Sequence, residues 1–576
     1  MKGGERVAGV LASHGVQFLF TLCGGHISPI LVGAKQRGIR VVDVRDEASA
    51  VFAADAVSRL SGVPGVAAVT AGPGLTNAIT AVKNAQLAQS PVVLLGGATA
   101  TMLKGRGALQ DIDQRALLHP HVKFLATVRR VRDLAPAVAA AFHAAQAGVP
   151  GPAFVECPVD LLYPEATVRD WYGLATPKPP RGMGERLSRW YLRRHVERLF
   201  AGADRAAVNL APSRPAEPAP GARRRTADLL ARSERPVLLL GSQAAAPQHV
   251  DRVRGAVESL ACPVYLSGMA RGLLGRHHPL LFRHRRGLAL READLVLLAG
   301  VPCDFRLDYG RSINPRAAVV AANLSPAEAR RNRRPAVAAI GDPARFVISL
   351  APLLAAGGSA RWATWLETLR ARDDERAAEI ERLAASATEY VNPLALCRAI
   401  EAVLPEDSAI VADGGDFVGT AAYIVSPRGP RSWLDPGPFG TLGVGAGFAL
   451  GAALCRPSAE VWLLYGDGSA AFSLAEFDTF VRHGLPVIAV VGNDGAWSQI
   501  ARGQVDMLRD DVGTVLRRTE YQLVAEGYGG RGLKITRPEE VAPTLREAQA
   551  VARSGRPVLV NALIGKTDFR AGSISI

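Results

Sequence analysis

Short apolar runs alternate with amphipathic, helix-like segments along most of this chain. In residues 1–165 the apolar runs are GVQFLFTL, RVVDV, GVAAVT, PVVLLGG and PAFVECP. This alternation predicts parallel strands covered by helices on both faces of a sheet. The pattern returns in residues 226–354, as PVLLLGSQ, PVYLSG, ADLVLLAG and AAVVAAN, and in 392–576, as SAIVADGG, EVWLLYGDG, PVIAVVGND and PVLVNALIG. We expect an α/β fold of three tandem doubly wound parallel-sheet domains.

Two segments separate the three predicted domains. Residues 166–225, which include PKPPRG and APSRPAEPAPGARRR, are rich in Pro, Arg and Ala and predict a linker. Within this linker, GERLSRWYLRRHVERLF predicts a basic amphipathic helix, which either packs on its own protein or serves as a membrane-surface or lid element. One side of this helix would carry Leu192, Val196, Leu199 and Phe200. Residues 355–391 are charged and predict a helical connector.

Composition limits the class of protein. The chain has 576 residues, 48% apolar and 21% charged, which is typical of a globular protein with several domains. No apolar stretch is long enough to span a membrane, and the N-terminus, MKGGERVAGVLASHGV, lacks the features of a signal peptide. The six cysteines are scattered without a Cys-x-x-Cys pair, which argues against a zinc site or a disulfide framework. We therefore expect a cytoplasmic location for the chain as given.

The net charge of +15 favours an anionic partner. Nucleic acid, a membrane surface and a phosphorylated ligand such as coenzyme A all fit such a charge, and so does a merely solvated basic surface. The basic stretches are not interleaved with aromatic residues, so we do not expect nucleic-acid binding.

The segment EVWLLYGDGS predicts a buried strand that ends at Gly466, with helical spacing that resumes near Leu474. Glycines at the carboxyl end of a parallel strand allow backbone N–H groups to bind an anion. An acid at that place repels a phosphate unless a divalent cation lies between them, so Asp467 is a candidate magnesium ligand. A tight turn capped by the acid is the alternative. The next strand ends at Asn493, where its amide and the Gly495 carbonyl complete a candidate metal site.

The sequence GDGS, followed by Asn493 in VVGNDGAW, resembles the diphosphate and magnesium signature of thiamine-diphosphate enzymes. Three further blocks resemble those of acetolactate synthases and 2-hydroxyacyl-CoA lyases: VVDVRDEASAVFAADAVSRLSG, VTAGPGLTNAITAVKNAQ and FGTLGVGAGFALGA. The lyase branch, called acetolactate-synthase-like, is the most similar in GGHISP, GMARGLLG, VPCDFRLDYGR, IVADGGDFVGTAA, GNDGAWSQI and the tail TDFRAGSISI.

The resemblance implies thiamine diphosphate and Mg²⁺ as cofactors. The N-terminal domain would bind the pyrimidine ring and the C-terminal domain the diphosphate, with active sites shared between subunits of a homodimer or homotetramer. It also implies that Glu47, Gln110 and His26 are the catalytic residues. Animal relatives of this branch are anchored at the endoplasmic reticulum membrane.

The resemblance assigns further residues to the cofactor. The expected cofactor-binding residues are Glu47, Pro73, Asn77, Gly415, Phe417, Gly440, Leu442, Gly468 and Ser469, and the expected metal ligands are Asp467, Asn493 and Gly495. Asp416 departs from the pattern, because relatives often have Asn or Gln there and an acid that faces a diphosphate is unfavourable.

The function expected from the resemblance is cleavage of a 2-hydroxyacyl-CoA to formyl-CoA and an aldehyde one carbon shorter, with the positive charge and Arg570 suited to coenzyme A phosphates. Acetolactate synthase is the alternative, but the Gln-Trp-acid segment of those enzymes does not follow GNDGAWSQI. An oxidoreductase is a third class, suggested by GVGAGFALG, which lacks the strand and acid that a dinucleotide site requires. FAD in the central domain is possible but not expected. An inactive scaffold would not need Glu47, Asp467 and Asn493 together.

Overall fold

The structure is a computed structural model that describes residues 3–175, 182–203, 216–354 and 361–572. It divides into two compact units, Met1–Arg214 with Gly437–Thr441, and Pro215–Pro436 with Leu442–Ile576. The first unit contains one sheet and the second contains two, and every strand pair in the three sheets is parallel. The predicted α/β class with three parallel sheets is confirmed. Parts of the predicted linker and connector, and the end of the tail, lie outside the described residues.

The first unit has a sheet with strand order β2-β1-β3-β4-β6-β5. Its strands are β1 (Phe18–Thr21), β2 (Arg40–Asp43), β3 (Gly65–Val69), β4 (Val92–Ala98), β5 (Phe124–Thr127) and β6 (Ala153–Pro158). Its helices are Gly3–Ser13, Ser28–Gln36, Glu47–Ser61, Pro73–Leu87, Gln114–Leu118, Val131–Gln146, Val159–Leu162, Glu165–Trp171 and Met183–Phe200. β3 and β4 are buried throughout, as the apolar runs require.

The central sheet lies in the second unit and has the order β11-β10-β9-β7-β8. Its strands are β7 (Pro236–Leu240), β8 (Val264–Leu266), β9 (Leu295–Ala299), β10 (Ala318–Asn323) and β11 (Val337–Ile340). Helices Pro220–Arg232, Val250–Leu260, Arg286–Glu292, Pro326–Ala329 and Pro343–Leu350 accompany it, followed by the connector helix Ala363–Ala384. The connector helix falls within the segment predicted to be helical.

The third sheet, also in the second unit, has the order β13-β12-β14-β15-β17-β16. Its strands are β12 (Ser408–Asp413), β13 (Trp433–Leu434), β14 (Glu460–Gly466), β15 (Ile488–Asn493), β16 (Arg531–Ile535) and β17 (Val558–Leu563). Its helices are Pro393–Val403, Gly415–Ile424, Gly445–Cys455, Asp467–Ala470, Glu476–His483, Ser498–Leu508, Tyr521–Gly527 and Val541–Arg553. The glycine string GVGAGFALG therefore lies largely within a helix.

The basic helix predicted in the linker is present as Met183–Phe200. Val196, Leu199 and Phe200 are buried in the core of the first unit, and Leu192 is half-buried. This packing supports the interpretation in which the helix packs on its own protein. Of the helices in the described ranges, none combines the length and the apolar character that crossing a bilayer requires.

Candidate active site

The carboxyl ends of β14 and β15 lie side by side, with Gly466 paired to Gly492 in parallel register. Asp467 and Asn493 therefore lie at one edge of the sheet, as the spacing of the two strands predicted. The helical spacing predicted near Leu474 corresponds to helix Glu476–His483, and a further short helix, Asp467–Ala470, begins directly after the strand. The backbone of Gly466 is extended and ends β14, so the short helix begins at the next residue.

Asp467 is a buried carboxylate held by backbone donors. Its Oδ1 accepts the N–H of Gly468 at 2.8 Å and its Oδ2 accepts the N–H of Gly495 at 2.9 Å. Burial, together with the nearby charge of Asp494, raises the pKa of Asp467 to about 7 although these N–H groups favour the charged form. A cation at this place would compensate the buried negative charge.

Asn493 presents an amide oxygen to the same edge of the sheet. Its Nδ2 donates to the Thr519 carbonyl and to Asn561 Oδ1, both at 3.1 Å, which fixes the orientation of the amide. Its Oδ1 is buried and has no hydrogen-bond partner in the described part of the chain. Because buried polar atoms are normally satisfied, this oxygen fits a ligand that the protein alone does not supply.

These donors suit Mg²⁺, which takes oxygen ligands and keeps several positions for water or phosphate. The carboxylate of Asp467 and Oδ1 of Asn493 are the two side-chain oxygens. The carbonyl of Gly495 accepts the N–H of Leu516 at 2.8 Å, so one of its two lone pairs is already used. Within the described ranges, no three His, Cys, Asp or Glu side chains form a metal-binding cluster.

The glycines beside Asp467 are required by close packing. A Cβ on Gly468 would lie 2.4 Å from the ring of Trp497, and one on Gly466 would lie 3.0 Å from the Gly414 carbonyl. The hydroxyl of Ser469 donates to the carbonyl of Asp413 and, at 3.0 Å, to the carbonyl of Gly466. Ser469 therefore has its backbone N–H, and not its hydroxyl, available for an anion.

Helix Gly415–Ile424 begins beside this edge of the sheet. Gly415 has φ +86, and the ring of Phe417 fills the space above Gly492, where a Cβ would lie 2.3 Å from the ring. Asp416 does not stand as an unpaired acid. Its carboxylate pairs with Arg502 at 2.7 Å and lies 4.0 Å from Nε of Arg570. The sequence prediction did not include these two guanidinium partners. They compensate the negative charge of Asp416 at a position where relatives often have Asn or Gln.

Asp413, which the sequence prediction did not single out, organises the loop after Leu442. It is fully buried at the end of β12 and accepts the N–H groups of Gly443 at 3.1 Å and Gly445 at 2.8 Å. Burial raises the pKa of Asp413 to about 7. The side chain of Leu442 lies against Gly414, where a Cβ would be 2.1 Å from Leu442 Cδ2. The sequence signal that could have indicated Asp413 is an acid directly before two glycines, Gly414 and Gly415.

In the first unit, Glu47 is the first residue of helix Glu47–Ser61, which Asp46 caps by accepting the Ala48 N–H at 2.7 Å. Glu47 is 4% exposed, and its Oε2 accepts a hydrogen bond from Nδ2 of Asn77 at 3.1 Å. Pro73 begins the helix that carries Asn77. The structure therefore brings together these three predicted residues.

His26 contacts Thr70, a residue that the sequence prediction did not name. The distance between His26 Nδ1 and Thr70 Oγ1 is 3.2 Å. The Thr70 side chain also lies beside Gly74, where a Cβ would be 2.8 Å from Thr70 and 3.2 Å from Glu47 Oε1. Thr70 thus contacts the histidine, and both Thr70 and Glu47 lie close to Gly74. Burial lowers the pKa of His26 below its ordinary value, which favours a neutral imidazole near pH 7.

Gln110 lies in a loop whose position is fixed by buried polar contacts. It has φ +63, and its carbonyl lies beside Gly72, 2.8 Å from where a Cβ would be. Gln114 accepts the N–H of Gly72 at 3.3 Å and donates to Glu156 at 3.0 Å. Lys104, earlier in the same loop, pairs with Glu156 at 2.9 Å. Sequence reasoning missed these anchors because they join residues far apart in the chain.

Gly440 belongs to the first unit, in the segment Gly437–Thr441. It has φ +65, and its N–H donates to the Gly437 carbonyl at 3.2 Å. The positive φ explains the glycine, since side chains rarely adopt that conformation.

Three sequence profiles match this chain in order. They are described as thiamine pyrophosphate enzyme N-terminal TPP binding domain, central domain and C-terminal TPP binding domain, and they cover residues 1–117, 223–350 and 413–562. Each matched range contains strands of one of the three sheets.

This chain is also similar to several named proteins over most of their length. The chain is 52% identical to 2-hydroxyacyl-CoA lyase 2 of Danio rerio, over 100% of this chain and 93% of that protein. It is 52% identical to 2-hydroxyacyl-CoA lyase 2 of Homo sapiens, over 100% of this chain and 92% of that protein. It is 35% identical to the acetolactate synthase large subunit IlvG of Mycobacterium tuberculosis, over 98% of this chain and 96% of that protein.

Proposed function

We propose that this chain, which belongs to the thiamine pyrophosphate enzyme family, is a 2-hydroxyacyl-CoA lyase. The observation that carries the choice of reaction is the identity of 52% to 2-hydroxyacyl-CoA lyase 2 proteins over the whole chain, against 35% to an acetolactate synthase large subunit. The sequence after GNDGAWSQI supports the same choice, because the Gln-Trp-acid segment expected of acetolactate synthases does not follow it.

Mg²⁺ is the proposed metal, held by Asp467, Asn493 and the Gly495 carbonyl. The support for it is the pair of buried oxygens at one sheet edge: a carboxylate whose pKa is raised to about 7 by burial, and an amide oxygen without a partner in the described residues. Asp467 and Asn493 would hold the cation, which would offset the negative charge of the cofactor, and the N–H groups of Gly468, Ser469, Gly415 and Phe417 would bind the diphosphate. When bound, thiamine diphosphate supplies the nucleophilic carbon for cleavage of a carbon–carbon bond.

Residues of the first unit, together with Leu442 of the second unit, are proposed to bind the cofactor and to transfer protons. Glu47 would share a proton with a pyrimidine ring nitrogen, and Asn77, at 3.1 Å, would orient the carboxyl group. Pro73, Gly440 and Leu442 would contact the cofactor, Leu442 through its apolar side chain. His26 and Gln110 would face the substrate, where His26 would take up a proton as a neutral imidazole and release it again as an imidazolium.

The proposed reaction breaks the C1–C2 bond of a 2-hydroxyacyl-CoA. The hydroxyl proton leaves as C2 becomes the carbonyl carbon of an aldehyde one carbon shorter, and C1 gains a proton and leaves as formyl-CoA. All atoms of the substrate are thus accounted for in two products. We further propose a homodimer or homotetramer with shared sites, and a reducing, cytoplasmic location consistent with six free cysteines.

Product analysis tests this proposal. Purified protein with thiamine diphosphate and Mg²⁺ should convert a 2-hydroxyacyl-CoA to formyl-CoA and the shortened aldehyde in equal amounts, detected by mass spectrometry. The variant Asp467→Asn should form neither product. Formation of acetolactate from pyruvate, without cleavage of any 2-hydroxyacyl-CoA in a panel of chain lengths, would instead support acetolactate synthesis and contradict the lyase proposal.

A further inference from the structure

The basic helix Met183–Phe200 packs on the first unit through its C-terminal half. Three of its residues are buried in the core of that unit: Val196, Leu199 and Phe200. His195 adds a polar contact, with its Nε2 at 2.9 Å from Oγ1 of Thr101. These contacts hold one face of the helix against the protein and leave the opposite face to be explained.

The opposite face exposes large apolar side chains in the N-terminal half of the helix. Met183, Leu187, Trp190 and Tyr191 are 84%, 66%, 55% and 53% exposed. Their spacing of four, seven and eight positions places them on one face, and we call them the exposed apolar stripe. No residue from Met183 to Tyr191 is buried against the described part of the chain. Clustered apolar side chains of this size in contact with water mark an interaction surface.

Basic side chains continue and flank the exposed apolar stripe. Four arginines of this helix are exposed: Arg186, Arg193, Arg194 and Arg198. Glu197 is the one exposed acid of the same helix. Arg194 follows Trp190 by one turn on the same face, and its guanidinium carbon lies 5.5 Å from the centre of the Trp190 ring. The surface therefore combines apolar and aromatic side chains with a net positive charge, and its complement is a surface that is both apolar and anionic.

We propose that the exposed apolar stripe and the four arginines dock this protein on an anionic lipid surface, with the helix lying in the plane of the interface. Trp and Tyr side chains favour the boundary between headgroups and acyl chains, and arginines attract anionic headgroups. Because the opposite face is held by the core, the helix offers one accessible side, which suits a flat surface better than a groove that encloses a helix. A second copy of the chain fits less well, since a symmetric contact brings the same arginines together. This docking does not depend on the proposed function.

Sedimentation of the purified full chain with lipid vesicles tests this proposal. Vesicles of phosphatidylcholine with one quarter phosphatidylglycerol should bind the wild-type protein at about 0.1 M salt, and binding should weaken as salt is added because the attraction to the headgroups is screened. Vesicles of phosphatidylcholine alone should bind at least about tenfold more weakly, since each arginine near an anionic surface strengthens binding about fivefold.

Two double variants separate the apolar and the charged contributions. Leu187→Ser with Trp190→Ser should weaken binding to the anionic vesicles at least about tenfold, because both side chains would place apolar atoms among the lipids. Its melting temperature without lipid should not fall, since both side chains are more than half exposed. Arg193→Gln with Arg194→Gln should weaken binding about tenfold or more and should reduce its dependence on salt. If the first variant does not fold, the second one decides.

Matched controls carry the same kinds of substitution elsewhere. Leu508→Ser, at a leucine that is 72% exposed at the end of helix Ser498–Leu508, and Arg252→Gln, at an exposed arginine of helix Val250–Leu260, should both bind vesicles as the wild type does. Wild-type protein that stays in solution with anionic vesicles, or binds both kinds of vesicle equally, would overturn the proposal, and so would a folded double variant that binds as tightly as the wild type. Sedimentation velocity without lipid tests the other partner: if Leu187→Ser with Trp190→Ser splits an oligomer that the wild type forms, this face is an interface between copies and the lipid proposal is wrong.

Discussion

Replacing Asp413 with asparagine should make this protein more stable at pH 8 and leave its stability little changed at pH 5. Asp413 is fully buried, and burial raises its pKa from 3.8 to about 7 despite two backbone N–H donors. A carboxyl group whose pKa is raised on folding stabilises the folded state fully only below the unfolded pKa. That contribution is lost as the pH rises from the unfolded towards the folded pKa.

The expected size follows from this shift. Since one unit of pKa corresponds to about 1.4 kcal/mol, the pKa values of 3.8 and about 7 imply a loss of about 1.7 kcal/mol by pH 5 and about 4 kcal/mol by pH 8. Asparagine carries no charge, but its amide accepts only one of the two N–H groups, which costs about 1 to 2 kcal/mol at either pH. The difference predicts near-equal stability at pH 5 and a variant more stable by about 2 to 3 kcal/mol at pH 8.

Urea unfolding of the cofactor-free protein at both pH values measures this difference. Asp506→Asn, in the exposed part of the same domain, is the matched control and should change stability by less than about 0.5 kcal/mol at either pH. The Asp413 variant should also bind thiamine diphosphate more weakly, since Asp413 holds the loop that follows Leu442. Equal destabilisation of Asp413→Asn at pH 5 and pH 8 would refute the argument that the buried, charged carboxylate of Asp413 lowers the stability of the folded protein at high pH.

Three further predictions concern the candidate site residues of the two units. Gly468→Ala places a Cβ 2.4 Å from Trp497, so thermal unfolding should show a folded state that is about 1 to 3 kcal/mol less stable. The control is Gly503→Ala, at a helical glycine with room for a Cβ, which should make the folded state about 0.5 to 1 kcal/mol more stable. Equal effects of the two substitutions would contradict the packing argument. Glu47→Gln should abolish turnover while calorimetric binding of thiamine diphosphate with Mg²⁺ stays nearly intact, and full activity would refute its role. Because burial lowers the pKa of His26, kcat/KM should stay constant from pH 8 to about 6.5 and fall only at lower pH; His26→Asn should remove that fall, and an unchanged profile would exclude the histidine.

The buried strands could be predicted from the sequence, and the strands that were missed all lie at sheet edges. β14 and β15 are continuous apolar runs, because both of their faces are covered. β5, β11, β13 and β16 were not predicted. They are edge strands, and three of them carry partly or fully exposed residues, while β13 has two residues only. Apolar periodicity is weak in such strands, since one edge and often one face meets water.

The chemistry of the candidate site was predictable where it depends on local order in the chain. Asp467 follows one predicted strand and Asn493 ends the next, and parallel strands place their ends at one edge of the sheet. Residues that act through long-range contacts gave no local signal. Thr70 matters because folding brings it to His26, and Asp413 because it accepts N–H groups from the loop around Gly443. The pairing of Asp416 with Arg502 could not be predicted, because 86 positions separate them.

The central claim is that a cation held at Asp467 and Asn493 joins the protein to the diphosphate of the cofactor. Calorimetric titration of thiamine diphosphate into metal-free protein, with and without Mg²⁺, tests this claim most directly. We predict saturable binding with Mg²⁺, binding at least about tenfold weaker in EDTA, and loss of this difference in Asn493→Ala. Equal affinity with and without Mg²⁺, or no binding under either condition, would contradict the account.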